Sequence, residues 1–325
     1  MQKEKVIIVG GGPCGLACSL ALQKHGMDSL VIEKGNIVQT IYNFPTHQRF
    51  FSSSERLEIG GIPFITEKQK PVRNEALAYY RSVAARNHLR IHTFEKVIHV
   101  MKDRDIFYLE TETHKQEVRK YEADYVIIAT GYYDQPNRLG IPGEELAKVS
   151  HYFKEAHPYF HKDVVIIGGR NSAVDAALEL HKAGANITVL YRGNTYSNSI
   201  KPWILPEFDS LVKIGDIHLE FNAHVTKITN RHVEYTVQGV SKTIKNDFVL
   251  AMTGYRPNTE FLQRAGIQVN RNNGEPIYNE KTYETNIPGL YVAGVVLSGY
   301  NNNATFIENG RFHGEAIAQS IMQKH

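Results

Sequence analysis

Lys5 to Cys18, K-V-I-I-V-G-G-G-P-C-G-L-A-C, is the stretch on which the reading of the whole chain turns. Val6, Ile7, Ile8 and Val9 form an unbroken apolar run, the mark of a strand buried on both faces. Gly10, Gly12 and Gly15 follow without a spacer in the pattern G-x-G-x-x-G, and Leu16 to Gln23 predict a helix. In such a strand-turn-helix the first glycine permits the tight turn. The second lets a pyrophosphate approach the backbone, and the third lets helix and strand pack closely. The pyrophosphate lies on the helix N-terminus, where free N–H groups and the helix dipole favour an anion. Pro13 and Cys14 complete the turn.

Working outward, Ser29-Leu30-Val31-Ile32 ends in Glu33, eighteen residues past Gly15. A carboxylate there is placed to accept hydrogen bonds from a ribose diol, which weighs against a Gly-rich turn with no ligand. Lys34 and Thr46 are counted with this site. The polar, aromatic stretch Gly35 to Pro71 is long for a loop and is expected to wrap a ligand. Asn74 to Asn87 predict a helix. Ile91 to Val100, Ile106 to Thr111 and Glu117 to Tyr121 alternate like strands of a small antiparallel sheet, with Val97 where a strand edge offers backbone groups to an adenine. Ala123 to Ile128 reads as a buried strand ending in Ala129-Thr130-Gly131, which serves either the site or merely a strand-ending turn.

The opening pattern then recurs. Asp163 to Ile167 predict a buried strand, followed by Gly168-Gly169-Arg170-Asn171-Ser172-Ala173, a helix over Val174 to Lys182 and a strand over Ala185 to Leu190. Two such units imply two dinucleotides. Arg170 stands where the pattern wants a third glycine, and its charge suits a phosphate. The second strand ends in Tyr191-Arg192 instead of an acid. A carboxylate suits the free 2′-hydroxyl of FAD or NAD, whereas a cation suits the 2′-phosphate of NADP, so the second nucleotide is expected to be NADPH. Lys201 is a further phosphate contact on this reading. A solvated strand-end charge is the plainer account of Arg192.

Asp247 to Asn258 echo the strand that ends at Gly131, Pro288 to Gly294 form another strand ending at glycine, and Asn309 to Met322 predict a closing helix with Phe312, Ala316, Ile317 and Ile321 inward. The second unit is therefore read as inserted into the first. The expected fold class is α/β with two Rossmann-like, three-layer dinucleotide-binding domains. Residues 1–132 with 255–325 form the FAD-binding domain, and 133–254 the inserted NADPH-binding domain. A net charge of +3, without a basic block, excludes an extended nucleic-acid surface. No apolar run is long enough for a membrane span and no leader precedes the first strand, so a cytoplasmic protein is expected, assembled as a homo-oligomer. Both cysteines, Cys14 and Cys18, fall in one helix, so no disulfide framework exists. No metal site is expected: His157 and His161 have ligand-like spacing but no third ligand nearby.

Taken together, these residues resemble flavoprotein disulfide reductases that bind two dinucleotides, in particular the low-molecular-weight thioredoxin reductases. The resemblance places Gly294 beside the ribityl chain of FAD. It departs in two places. The Cys-x-x-Cys of thioredoxin reductases is absent from the region Ser150 to His157, and Val295 replaces the acid after Tyr291-Val292-Ala293-Gly294. Four strings, G-G-G-P-C-G (10–15), Y-N-F-P-T-H-Q-R-F-F-S-S-S (42–54), H-Y-F-K-E-A-H-P-Y-F (151–160) and Y-S-N-S-I-K-P-W-I-L-P (196–206), resemble the YpdA family, as does T-F-I-E-N-G-R-F-H-G (305–314). Members are FAD- and NADPH-dependent enzymes proposed to reduce bacillithiol disulfide. The resemblance implies that small-molecule substrate here and makes Cys14 the redox residue.

A thiol in the first turn of a helix also feels unpaired N–H groups that lower its pKa, although Cys14 can equally be a small residue that fits. Cys18 reads as core. Hydride transfer from NADPH to flavin, then two electrons to a disulfide, directly or through Cys14, is the expected reaction. His47, His151, His157 and His161 are proton-donor candidates by type alone. A ferredoxin or flavodoxin reductase of related architecture, and a flavin redox sensor without turnover, are the rival readings.

Overall fold

β1 (Gln2–Val9) enters the interior halfway along its length and then alternates between two cores. Ile7 and Val9 pack on one side with Val97, Val100, Phe107 and Leu109, and Val6 and Ile8 on the other with Cys18, Leu22, Ile317 and Ile321. That is the period of two of a strand sandwiched between layers. The structure, a computed structural model, describes residues 1–301 and 304–324. Its contacts divide it into two units, Met1–Gln135 with Tyr255–His325, and Pro136–Gly254.

In the first unit β1 is followed by α1 (Pro13–Lys24), β2 (Ser29–Ile32), α2 (Gln39–Asn43), α3 (Ser54–Leu57), α4 (Arg73–Arg86), β3 (Arg90–His92), β4 (Glu95–Asp103), β5 (Ile106–Thr113) and β6 (Val118–Ile128). α1 opens at Pro13, earlier than its apolar run suggests, because proline's missing N–H costs nothing at the first helical position. Ile91 to Val100 is two strands, broken at Phe94 with φ +56°. β3 pairs parallel with β2, and β4 antiparallel with β5. Conversely, Glu117–Tyr121 and Ala123–Ile128 belong to one strand, β6. Glu122 is not a break but an outward-facing residue 3.4 Å from Lys3. The first half of β6 pairs antiparallel with β5 and its second half parallel with β1, so one strand joins the antiparallel and parallel parts of a single seven-stranded sheet.

The stretch 35–71 is less of a loop than its sequence implies. Val38, Ile41, Leu57, Ile59 and Phe64 pack on Ala76, Tyr79, Tyr80 and Val83 of α4 as a separate core; helices this short leave no periodicity to read.

The second unit repeats the plan with β7 (Val149–Ser150), β8 (Asp163–Ile167), α5 (Asn171–Lys182), β9 (Asn186–Leu190), α6 (Leu205–Ile214), β10 (Ile217–Glu220), a meander of β11 (Ala223–Ile228), β12 (His232–Val237) and β13 (Val240–Lys245), and β14 (Phe248–Ala251). The parallel order is β10-β9-β8-β14-β7. Val164 and Ile166 face α5, and Val165 and Ile167 face the meander. Each unit is thus helices, parallel sheet and antiparallel strands in three layers.

Back in the first unit come α7 (Thr259–Arg264), β15 (Leu290–Val292), which adds parallel to β6, α8 (Ile307–Gly310) and α9 (His313–Met322). The closing helix is therefore broken near Arg311. Phe312 is 62% exposed, and His313 takes the inward place expected of it.

Candidate functional site

The first βα turn is fixed at both ends. Gly10 N–H donates to Ile32 O at 2.9 Å and Ala129 N–H to Val9 O at 2.8 Å, which brings Ala129-Thr130 against the turn. Gly10 has φ +114°, and a Cβ there would lie 2.5 Å from Ala129 O. Gly12 differs: it is the N-cap of α1, and a Cβ on it would meet nothing within 4 Å. The helix has no side-chain cap there, and its first-turn N–H groups have no intrahelical acceptors, which suits a bound pyrophosphate. Gly15 sets the close approach of helix to turn: its Cβ would lie 2.0 Å from Gly10 O.

Glu33 is buried at the end of β2, its Oε2 accepting from Gly11 N–H at 2.7 Å and its Oε1 from Gly35 N–H at 2.8 Å. Burial pushes its pKa up while these two backbone donors pull it down. The carboxylate is thereby fixed beside the turn, with lone pairs left for a diol. Lys34 is exposed and pairs with Asp134. Thr46 lies in an exposed turn after α2. Val97 is buried in β4 at a bulge between Val97 and His99. Gly131 has φ +69° in the turn after β6. This arrangement of turn, uncapped helix and acid fits FAD.

Cys14, the second residue of α1, is wedged between two glycines. A Cβ on Gly294 would lie 3.0 Å from its Sγ, and one on Gly310 2.8 Å. The thiol is buried, and desolvation followed by the charge of Glu308 pushes its pKa up to about 12. The expected lowering by the helix N-terminus is overturned: removal from water outweighs it. Cys18 is wholly buried, its pKa also raised, and packs in the core shared by α1 and α9. Beside Gly294 stands a group the sequence did not single out. His313 Nδ1 accepts from Gly294 N–H at 3.1 Å, and its ring stacks on Tyr283 at 4.2 Å. Burial lowers its pKa to about 4, so the imidazole is neutral, with its proton on Nε2. The histidines singled out by type lie elsewhere. His151 is buried with Nε2 3.2 Å from Glu144, His157 and His161 are exposed in the second unit, and His47 is exposed in the turn after α2.

The second turn copies the first. Gly168 N–H donates to Leu190 O at 3.0 Å, and a Cβ on Gly168 (φ +141°) would lie 2.4 Å from Met252 O. Arg170 takes the N-cap place of Gly12, and buried Ala173 that of Gly15. Tyr191 takes the place of Glu33, its ring against Gly169 as Glu33 lies against Gly11. Arg170, Ser172 and Arg192 are exposed. Asn171, at the start of α5, ties in the Lys201 segment by donating to Ser199 O at 2.8 Å and accepting from Lys201 N–H at 2.9 Å. Three cations thus belong to segments that meet at this turn, and no acid replaces Glu33.

A match to the pyridine nucleotide-disulphide oxidoreductase family spans residues 7–294, from the first strand to Gly294 and through both turns. The chain belongs to that family. It is 57% identical to bacilliredoxin reductase Bdr of Bacillus subtilis (strain 168), over 100% of this chain and 99% of that protein. Among solved structures, the bacillithiol disulfide reductase Bdr (YpdA) of Bacillus cereus is 59% identical with a TM-score of 0.98, covering 100% of both chains. The corresponding enzyme of Staphylococcus aureus is 56% identical with a TM-score of 0.95, over 100% of this chain and 99% of that one. No helix among the described residues is long and apolar enough to cross a membrane.

Proposed function

We propose that the chain holds FAD at the first turn and NADPH at the second, and reduces bacillithiol disulfide to two thiols: NADPH + H⁺ + RSSR → NADP⁺ + 2 RSH. The observation that carries the nucleotide assignment is the divergence of two turns with the same hydrogen-bond plan where the second strand ends, Glu33 in the first and Tyr191-Arg192 in the second. The full-length relatives named for bacillithiol disulfide reduction support the substrate. NADPH supplies the hydride and FAD relays the electron pair. Gly12 and the uncapped start of α1 hold the FAD pyrophosphate, Glu33 orients its ribose, Val97 flanks the adenine, and Ala129-Thr130-Gly131 and Gly294 line the turn. Arg170, Arg192 and Lys201 receive the NADPH phosphates. Net thiol production from NADPH suits a reducing, cytoplasmic compartment.

Cys14 is the one cysteine beside Gly294, and we assign thiol chemistry to it. In that role its thiolate attacks one sulfur of the disulfide, the S–S bond breaks and one thiol leaves with the proton that Cys14 gives up, and the electron pair drawn from NADPH with one proton then breaks the mixed disulfide to release the second thiol. The deciding experiment follows NADPH oxidation under nitrogen with bacillithiol disulfide, compared with ferredoxin. Two thiols per NADPH are expected from the disulfide; a rate equal to that without disulfide overturns the reading, and faster turnover with ferredoxin replaces it.

A further inference from the structure

α8 has two sides. Through Gly310 it presses on the Cys14 thiol. It also borders an open surface groove of about 470 Å³ lined by Arg56, Phe306, Glu308, Asn309 and Arg311. Arg311 Nη1 donates to the carbonyls of Glu55 at 2.8 Å and Glu58 at 2.7 Å, but its buried Nε has no hydrogen-bond partner among the described residues. Arg56 adds a second, exposed guanidinium. Glu308 supplies one carboxylate, held by Ser52 Oγ–H. Asn309 is spent within its own turn, accepting from Phe306 N–H at 2.7 Å and donating to Ala304 O at 2.9 Å. Phe306, 40% exposed, offers an apolar wall.

Two guanidiniums, one carboxylate and an aromatic wall suit a small organic ion with carboxylates in excess over amines. Guanidinium forks grip carboxylates bidentately, and a lone carboxylate takes an ammonium. We propose that this groove is the subsite for the carboxylate-bearing half of the disulfide substrate, with Arg56 and Arg311 on its carboxylates and Glu308 on its amine. The inference rests on the disulfide reductase reading and adds where the substrate is recognised. It also ties recognition to chemistry, because the wall that the substrate touches is the one that covers Cys14.

Calorimetric titration of the FAD-loaded protein with reduced bacillithiol, a thiol bearing carboxylates and an amine, tests the site without turnover. Cysteamine, which lacks carboxylates, is the comparison. Arg56→Ala is expected to weaken bacillithiol binding tenfold or more, Arg56→Lys by less, and neither to change cysteamine binding as much. Arg56 is exposed, so these variants keep the fold. Equal bacillithiol affinity in wild type and Arg56→Ala overturns the subsite. Arg56-dependent binding without disulfide turnover keeps the subsite and overturns the reaction. Turnover with Arg56-independent KM does the reverse.

Discussion

Cys14 shows two local effects in opposition. The first turn of a helix favours a thiolate, yet the thiol is buried between Gly294 and Gly310, and burial wins. A pKa raised from 9.0 to about 12 leaves about a thousandfold less thiolate at neutral pH. Native holoenzyme should therefore react with iodoacetamide at least a hundredfold more slowly than the urea-unfolded chain, as read by mass spectrometry at Cys14; equal rates would mean an accessible thiolate. His313 is a second buried group whose titration is shifted. Its pKa of about 4, against 6.5 for a free imidazole, means that the unfolded chain binds the extra proton in between. Stability is then full above about pH 6.5 and is lost as pH falls toward 4, by about 3 kcal/mol if this group acted alone. His313→Asn keeps an acceptor for Gly294 N–H without the titration, so its denaturation midpoint should fall less across that window than that of wild type. Sequence alone did not point to His313, because an inward histidine in a helical stripe gives no sign of the backbone N–H it will meet.

At the scale of elements, the βα turns were readable because each glycine has a separate steric duty, and the structure separates those duties into testable predictions. Gly10→Ala adds a Cβ 2.5 Å from Ala129 O at φ +114°, so the folded chain should be lost or its melting point greatly lowered. Gly12→Ala, with φ −74° and nothing within 4 Å, should melt within about 3 °C of wild type as apoprotein but retain little FAD, read by flavin absorbance after gel filtration. A Gly12→Ala protein that keeps its flavin would remove that turn from the cofactor site. The buried strand Asp163–Ile167 was legible to the residue because an unbroken apolar run follows a polar His161-Lys162-Asp163 and stops at Gly168-Gly169. The split of Ile91–Val100 at Phe94 was hidden because a left-handed phenylalanine leaves no trace in an alternating pattern. The core under residues 35–71 was hidden because its apolar residues come from helices of five and four residues, joined by turns.

Across the whole molecule, one plan built twice gives each unit its own interior: β1 and its neighbours are packed independently of Phe153, Val164, Leu180 and Phe208 in the second unit. A ligand that grips one unit should therefore stabilise that unit first. NADP⁺ at a hundred times its Kd stabilises the site it binds by about 2.7 kcal/mol. In the FAD-loaded protein, hydrogen exchange should show that protection on amides of β8, α5 and β9, with those of β1 and α1 changed much less. Arg192→Ala removes a charge-assisted contact and should weaken NADP⁺ about tenfold or more, while NAD⁺, which lacks the 2′-phosphate, binds the variant and wild type alike. At a fixed NADP⁺ concentration the protection in the second unit then falls by about 1.4 kcal/mol for each tenfold lost. Protection appearing around Gly10 to Gly15 instead, or unchanged by Arg192→Ala, would reverse the assignment of the two nucleotides and with it the roles of Glu33 and Arg192.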